Sequence, residues 1–251
     1  GKTEAWYVIA AEPDAVIYHG LRADLAPDEV AAALASGRLA AHLHAEVVHA
    51  GDTLFTPAGT IHAIGGGIVL YEIQQYSDVT FRLHDWGRLG TDGRPREIHV
   101  EQGLAVADPT SHAHHVIPPQ PLDDCGERRL LVACRYFALE ARDFAAAQPL
   151  ALDGATFHLL TVLAGRLEMT DEGGEATAVE LGQTTLIPAS AGRVRLEATP
   201  GTRALDAYVP DLARDVIEPL RARGVPDEAI ARLGGGAAKG NDLLPLLAGR
   251  G

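Results

Sequence analysis

The stretch Gly51-Asp-Thr-Leu-Phe-Thr-Pro57-Ala-Gly59-Thr-Ile-His62 predicts a strand, a reversal of the chain and a second strand that begins with a histidine. Leu, Phe and Thr before the proline are residue types that favour strands. Pro57 fixes φ and Gly59 tolerates a positive φ, so this pair favours a turn between the strands. We expect the His62 side chain to point toward the inside of a β-structure.

The same pattern occurs a second time, as Gly182-Gln-Thr-Thr-Leu-Ile-Pro188-Ala189. A recurrence of this length suggests a duplicated unit. The second copy continues with Ser-Ala-Gly-Arg193, so an arginine stands where the first copy has His62. We therefore expect two β-units, one that carries the histidine and one retained for structure.

The composition excludes several classes of function. The chain has 251 residues, 47% of them hydrophobic, and a formal net charge of −13. A protein this acidic is poorly suited to bind nucleic acid or an anionic membrane. Cys125 and Cys134 are too few and too far apart for a disulfide framework or a thiolate zinc site. Free thiols, no visible signal peptide and no apolar run near 18 residues predict a cytoplasmic protein without a membrane span.

Three further stretches complete a family resemblance. Gly1-Lys2-Thr-Glu4-Ala-Trp-Tyr7 opens the chain, Glu72 to Arg88 follows the His62 motif, and Gly93-Arg-Pro-Arg-Glu-Ile-His99 comes next. Together these segments resemble the type I mannose-6-phosphate isomerases of the short bacterial kind, which belong to the cupin superfamily. The resemblance is specific over residues 1 to about 110 and weakens to general architecture beyond them.

The resemblance implies an all-β fold, a double jelly-roll (bicupin) with a short helix inserted in the first half and a small helical tail. We expect a first barrel over residues 1–110, a linker over 111–124, a second and degenerate barrel over 125–209, and a helical to loose tail over 210–251. Local patterns predict a helix from Pro27 to about Ala35, a strand over Val79–Leu83 and a hairpin around Gly165.

The family's zinc site provides the candidate ligands. Glu4 matches the glutamate ligand of the family and His62 matches one of its two histidines. The other two ligands lie on a Gln-x-His segment upstream of this glutamate, and no such segment precedes Glu4 here. We therefore expect a chain that lacks its amino-terminal segment.

The remaining site residues also follow from the resemblance. Arg82 matches the catalytic arginine, and its planar, permanently charged guanidinium suits enediolate or phosphate oxygens. Lys2, Glu72 and Arg88 match residues that line the substrate pocket. Lys2 and Glu4 are two positions apart, so on a strand they face the same side.

The implied activity is a zinc-dependent aldose–ketose isomerisation of mannose 6-phosphate and fructose 6-phosphate through an enediol. The substrate is thus a small phosphorylated sugar. One alternative is a non-catalytic cupin that binds or senses a sugar phosphate, since two zinc ligands are missing. Another is a different cupin enzyme with a histidine-rich iron or manganese site.

Overall fold

The computed structural model describes residues 1–108, 116–152, 154–236 and 240–249. The protein consists mainly of antiparallel strands and divides into two compact units. The first unit is Gly1–Val116, and the second begins at Ile117. This predominance of strands agrees with the β-class predicted from the sequence.

The first unit contains six strands and three helices among the described residues. The strands are β1 (Glu4–Ala11), β2 (Val16–Leu21), β3 (Leu43–Val47), β4 (Thr53–Thr56), β5 (His62–Ile64) and β6 (Ile68–Gln74). The helices are α1 (Pro27–Ala35), α2 (Leu39–His42) and α3 (Val100–Val106). Pro27 occupies the first turn of α1, and the Glu29 carboxylate accepts a hydrogen bond from the Ala26 N–H at its start. This confirms the predicted helix.

Two three-stranded sheets form this unit, in the orders β4-β1-β6 and β3-β2-β5. The segment from β4 to β5 is therefore not a hairpin, because its two strands belong to different sheets. Buried side chains from both sheets pack in one cluster, which consists of Trp6, Val8, Ile17, Val48 and Leu54. The chain crosses from one sheet to the other at Pro57–Ile61 and delivers His62 as the first residue of β5.

The predicted strand over Val79–Leu83 is wrong. These residues form no strand, and Val79, Thr80 and Phe81 are exposed. Their β-forming composition has no neighbouring strand to pair with, and propensity alone does not make a strand. The consequence is that Arg82 is carried by a loop.

The second unit begins with β7 (Gln120–Pro121) and β8 (Arg128–Ala133). Its further strands are β9 (Ala138–Asp143), β10 (Gln148–Ala151), β11 (His158–Ala164), β12 (Arg166–Thr170), β13 (Ala176–Glu180), β14 (Thr184–Ile187), β15 (Arg193–Ala198) and β16 (Arg203–Tyr208). A 3-10 turn at Ala189–Ala191 joins β14 to β15. After β16 come a π-helical segment (Leu212–Ile217), α4 (Glu218–Ala222), α5 (Asp227–Arg232) and α6 (Leu243–Ala248).

These strands form a six-stranded sheet, β14-β11-β16-β9-β8-β7, and a four-stranded sheet, β10-β15-β12-β13. The predicted hairpin around Gly165 is wrong, because β11 and β12 pair with strands of different sheets. Gly165 has a φ of 73° and instead turns the chain from one sheet into the other. The core between them includes Leu160, Val162, Leu167 and Leu196, all fully buried.

The two units repeat one strand order. β4-β1-β6 corresponds to β14-β11-β16, and β3-β2-β5 corresponds to β13-β12-β15. The register agrees as well: Glu4 of β1 lies between Thr56 and Gln74, and His158 of β11 lies between Ile187 and Tyr208. The recurrence of the Gly-x5-Pro pattern thus has a counterpart in topology.

Several residues outside the predicted barrels take part in the second unit. Gln120–Pro121, within the predicted linker, pair with β8, whereas residues 109–115 lie outside the described part of the chain. The predicted tail contains the helices α4, α5 and α6, and each of them has a fully buried side chain: Leu220, Ile230 and Leu243. Each helix among the described residues is too short or too polar to cross a membrane.

Candidate functional site

Lys2, Glu4 and His62 come together at the beginning of β1, the central strand of the β4-β1-β6 sheet. Glu4 is the first residue of β1 and is only 3% exposed. The Lys2 ammonium lies 2.8 Å from Glu4 Oε1, and His62 Nε2 lies 3.9 Å from Glu4 Oε2. The pairing of β1 with β4 and the crossing into β5 therefore bring residues far apart in sequence onto one carboxylate.

The imidazole of His62 is oriented by its own turn. Its Nδ1 lies 2.9 Å from the Thr60 carbonyl, to which an Nδ1–H donates. With its proton on Nδ1, a neutral imidazole would bind a metal through Nε2, which lies on the side of Glu4. The Trp6 indole packs edge-on against the ring, with 5.0 Å between centroids.

Lys2 carries a stabilised positive charge. Burial alone lowers the pKa of its ammonium, but the Glu4 and Glu72 carboxylates outweigh burial and raise the pKa above its usual value. Lys2 also donates to the side chain of Gln74. The group is thus a cation at neutral pH, suited to attract anionic oxygens.

A cavity of about 240 Å³ opens beside these residues. Its walls come entirely from the first unit and include Lys2, Glu4, His62 and Arg82. Arg82 is 26% exposed, and its Nη1 donates to the Glu97 carbonyl at 3.0 Å. Four of the six predicted site residues therefore face one space.

Glu72 and Arg88 do not line this cavity. The Glu72 carboxylate lies 3.5 Å from Lys2 Nζ and is 35% exposed, so it borders the site through that ion pair. Arg88 is exposed and donates its backbone N–H to the Asp85 carbonyl. Neither contact tests the predicted roles of these two residues in substrate binding.

The Glu4–His62 pair fits zinc in kind and in reach. Zinc binds imidazole nitrogen and carboxylate oxygen at about 2.0–2.2 Å, so one ion reaches donor atoms up to about 4.2 Å apart. The 3.9 Å separation of Nε2 and Oε2 lies within this limit. Among the residues that the structure describes, no group of three or more His, Cys, Asp or Glu could hold a metal. The pair thus supplies two candidate donor atoms for a metal.

The second unit has bonded groups at the corresponding positions. His158 stands at the register position of Glu4, and Asp206 stands at that of Glu72. His158 Nδ1 lies 2.8 Å from Asp206 Oδ1, and Arg142 Nη2 lies 2.7 Å from Asp206 Oδ2. Polar residues remain here, but they pair with one another.

This buried charge network extends beyond Asp206. The Tyr208 hydroxyl donates to Glu140 Oε1 at 2.7 Å, and the Arg128 guanidinium contacts the same carboxylate. Burial raises the pKa of Asp206, but the charge of Arg142 and the contact with His158 outweigh it and leave the pKa below its usual value. Burial, helped by the Glu140 charge, raises the pKa of Tyr208 well above 10.0.

The structure also shows pocket residues that were not predicted as site residues. Thr80, His84 and Trp86 line the cavity, and Asp85 lies 3.6 Å from Arg82 Nε. The sequence held one signal for them: they lie in the segment from Glu72 to Arg88 that carries part of the family resemblance. The contact between Asp85 and Arg82 depends on side-chain directions in a loop, which periodicity does not give.

No protein-family model matches the chain. Mannose-6-phosphate isomerase ManA of Bacillus subtilis is 31% identical over 198 residues, which are 78% of this chain and 62% of that protein. A crystal structure of the mannose 6-phosphate isomerase from Bacillus subtilis has a TM-score of 0.73 at 26% identity, covering 82% of this chain and 64% of that one. The chain is similar to mannose-6-phosphate isomerases.

A zinc-bound crystal structure of a mannose 6-phosphate isomerase shares the fold, with a TM-score of 0.62 at 14% identity over 83% of this chain and 66% of that one. At this identity the likeness concerns the fold alone. The chain spans between 58% and 62% of the length of the three curated relatives that it matches over most of its own length. These similarities support a place in the phosphomannose isomerase family.

Proposed function

We propose that this protein is a zinc-dependent mannose-6-phosphate isomerase that interconverts mannose 6-phosphate and fructose 6-phosphate. The observation that carries the proposal is the convergence of Lys2, Glu4, His62 and Arg82 on one cavity. The similarity to isomerases of this name supports the choice of substrate. The repeated strand order supports a double jelly-roll as the architecture.

Glu4 and His62 are the proposed zinc ligands of this chain. When bound, zinc supplies a Lewis acid that polarises the sugar carbonyl and stabilises an enediolate oxygen. The resemblance implies a Gln-x-His segment for the remaining ligands. The zinc-bound structure of similar fold supports the choice of metal.

Arg82 and Lys2 are the proposed contacts of the anionic oxygens. An arginine keeps its proton in proteins, so Arg82 acts as a charge-assisted hydrogen-bond donor and not as the group that moves the proton between C1 and C2. Its position at the cavity wall suits an oxyanion that develops during enolisation. Glu72 and Arg88 are proposed to contact the substrate as it extends from the cavity.

Local charge explains how an acidic protein takes a phosphorylated sugar. The net charge of the chain is −13, yet Lys2 and Arg82 line the cavity. Arg88 and Arg96 lie close to Asp85, which contacts Arg82. A local cluster of cations attracts an anionic substrate within about 8 Å at physiological salt. A phosphorylated sugar is an intracellular metabolite, and with free Cys125 and Cys134 this supports a cytoplasmic location.

The test is an isomerase assay with mannose 6-phosphate, with zinc and after chelation. It uses the 251-residue chain alone and the same chain with a Gln-x-His segment added upstream. We expect a zinc-dependent rate in the extended form, because it completes the ligand set. Arg82→Ala and His62→Ala should each lower kcat by a factor on the order of 10² to 10³.

His49→Ala is the matched control, because His49 is 78% exposed and precedes the same strand β4. It should leave the rate unchanged. Full turnover by His62→Ala, or turnover that ignores zinc, would contradict the proposed mechanism. Binding of mannose 6-phosphate without turnover in the extended form would favour the non-catalytic alternative.

A further inference from the structure

The Arg82 side chain is held from outside the cavity. Its Nη1 donates to the Glu97 carbonyl at 3.0 Å, and its Nε lies 3.6 Å from Asp85 Oδ1. The backbone of Arg82 is fixed by His99, whose N–H donates to the Arg82 carbonyl at 2.8 Å. The hydrogen bond with His99 thus fixes the backbone of Arg82. Its guanidinium contacts the Glu97 backbone carbonyl and the Asp85 carboxylate.

Asp85 is unusually buried for a carboxylate in a loop, with a side chain 8% exposed. Arg96 Nε donates to Asp85 Oδ2 at 2.7 Å, and Arg96 Nη2 contacts Oδ1. Oδ1 therefore faces two guanidinium groups, those of Arg82 and Arg96. The Arg96 hydrogen bonds and the charges of Arg82 and Arg88 lower the pKa of Asp85, so it is an anion at neutral pH.

A strained turn fixes the direction of Asp85. The Asp85 carbonyl accepts a hydrogen bond from the Arg88 N–H at 2.9 Å. Trp86 and Gly87, between them, have φ values of 48° and 70°. Two successive positive φ values are typical of a type I′ turn, which disfavours a bulky residue such as tryptophan. The turn keeps Trp86 at the cavity wall, with its ring 4.9 Å from that of His84.

We propose that Asp85 is a positioning residue, which directs the Arg82 guanidinium into the cavity while Arg96 holds the Asp85 carboxylate in place. This inference rests on the proposed function, because it assigns Arg82 to the reacting oxygens. A misplacement of about 1 Å in such a group lowers a rate by roughly 100-fold. The competing view is that Asp85 and Arg96 only stabilise the loop.

The kinetic test is a double-mutant cycle in the zinc-loaded, extended protein. Asp85→Asn should lower kcat by a factor on the order of 10 to 100, with KM changed less than about threefold. In an Arg82→Ala background, the same substitution should change kcat by less than about twofold, because the group that it positions is gone. Asp85→Glu, which keeps the charge, should recover part of the loss.

Asp78→Asn is the matched control, since Asp78 is an exposed carboxylate four residues before Arg82. It should leave kcat unchanged in both backgrounds. A loss of equal size from Asp85→Asn with and without Arg82 would overturn the positioning role and leave loop stability as the explanation.

A second measurement does not depend on turnover. The Nε–Hε resonance of Arg82, assigned by its loss in Arg82→Lys, should shift and exchange faster with water in Asp85→Asn. If Asp85→Asn fails to fold, Arg96→Lys, which weakens the two-pronged hold on Asp85, should move the resonance in the same direction. An unchanged resonance overturns the inference even where the isomerase assay itself fails, so the two failures are distinguishable.

Discussion

Arg142 is the centre of the buried charge network in the second unit. Its side chain is 2% exposed and contacts Asp206 at 2.7 Å and Glu140 at 3.4 Å. Both carboxylates are buried, so the loss of the guanidinium removes a cationic partner from each of them in a poorly solvated place. Glu140 keeps its contact with Arg128, whereas Asp206 keeps its contact with His158. The network is thus a structural element on which the second unit depends.

Arg142→Met tests this dependence. We expect a loss of about 3–5 kcal/mol in the free energy of unfolding, the usual cost of removing one partner from a buried pair. Arg195→Met is the control, because the Arg195–Glu197 pair is exposed and such pairs contribute at most about 1 kcal/mol. Urea unfolding followed by far-UV circular dichroism measures both. Equal effects of the two substitutions would contradict the assigned role.

Asp206 makes the stability of this unit depend on pH. Its folded pKa lies below the ordinary value of about 3.9, so the unfolded chain binds more protons than the folded one near that pH. The stabilisation is present above about pH 4 and is lost as the pH falls through the folded pKa. We expect the urea midpoint to fall between pH 6 and pH 3, and to fall less in Asp206→Asn. A steeper fall of the urea midpoint in that variant would contradict a stabilising role of the Asp206 carboxylate.

At the scale of elements, the β11–β12 connection depends on one glycine. Gly165 has a positive φ, and a Cβ added there would lie 2.9 Å from the Thr202 backbone. Thr202 is fixed in turn, since its hydroxyl bonds the backbone of Arg166 at 3.0 Å. The corner between the two sheets therefore has no room for a side chain.

Gly165→Ala should destabilise more than Gly201→Ala. Both glycines have positive φ, but a Cβ at Gly201 would meet nothing within 4 Å. Backbone strain alone costs about 1–2 kcal/mol at Gly201. The clash at Gly165 adds about 1–3 kcal/mol of overpacking, measured as the difference between the two urea midpoints at a common m value. Equal losses of stability in the two variants would show that Thr202 moves away from the added methyl group without a measurable cost.

The sequence predicted local elements better than their pairing. Pro27 and the acids that follow it indicate the start of α1, and the turn residues around Pro57 and Pro188 locate the breaks after β4 and β14. The β4–β5 and β11–β12 segments look like hairpins because a turn residue separates two strands. Whether such strands pair or enter opposite sheets depends on strands far along the chain, which no short window contains.

The candidate site was likewise predicted only in part from the sequence. The family resemblance identified Lys2, Glu4, His62 and Arg82, which the fold then brings to one cavity. Asp85 and Arg96 were not predicted as site residues, because an ion pair between loop side chains has no periodic signal. The pairing of Asp206 with Arg142 joins β16 to β9 and likewise appears only in three dimensions.

At the scale of the molecule, each unit has its own core, and the two tryptophans mark only one of them. Trp6 and Trp86 both belong to the first unit, and the chain has no other tryptophan. Fluorescence therefore reports the first unit, whereas far-UV circular dichroism reports the strands of both. The two probes separate the stabilities of the two units.

Arg142→Met provides the test of this separation. We expect it to move the circular dichroism transition to lower urea and to leave the tryptophan fluorescence transition in place, because Arg142 lies in the second unit. Arg195→Met should leave both transitions where they are in the wild-type protein. A shift of equal size in both probes would mean that the units unfold as one.

Because the strand order repeats, positions on the strands of one unit have equivalent positions in the other. The positions equivalent to Glu4, Glu72 and Gln74 are held by His158, Asp206 and Tyr208, respectively. A protein engineer can therefore place the groups of the candidate site in the second unit by exchanging side chains, because the strands there have the same order. Arg142 would have to be replaced in the same step, since its charge is matched to the groups that such a graft removes.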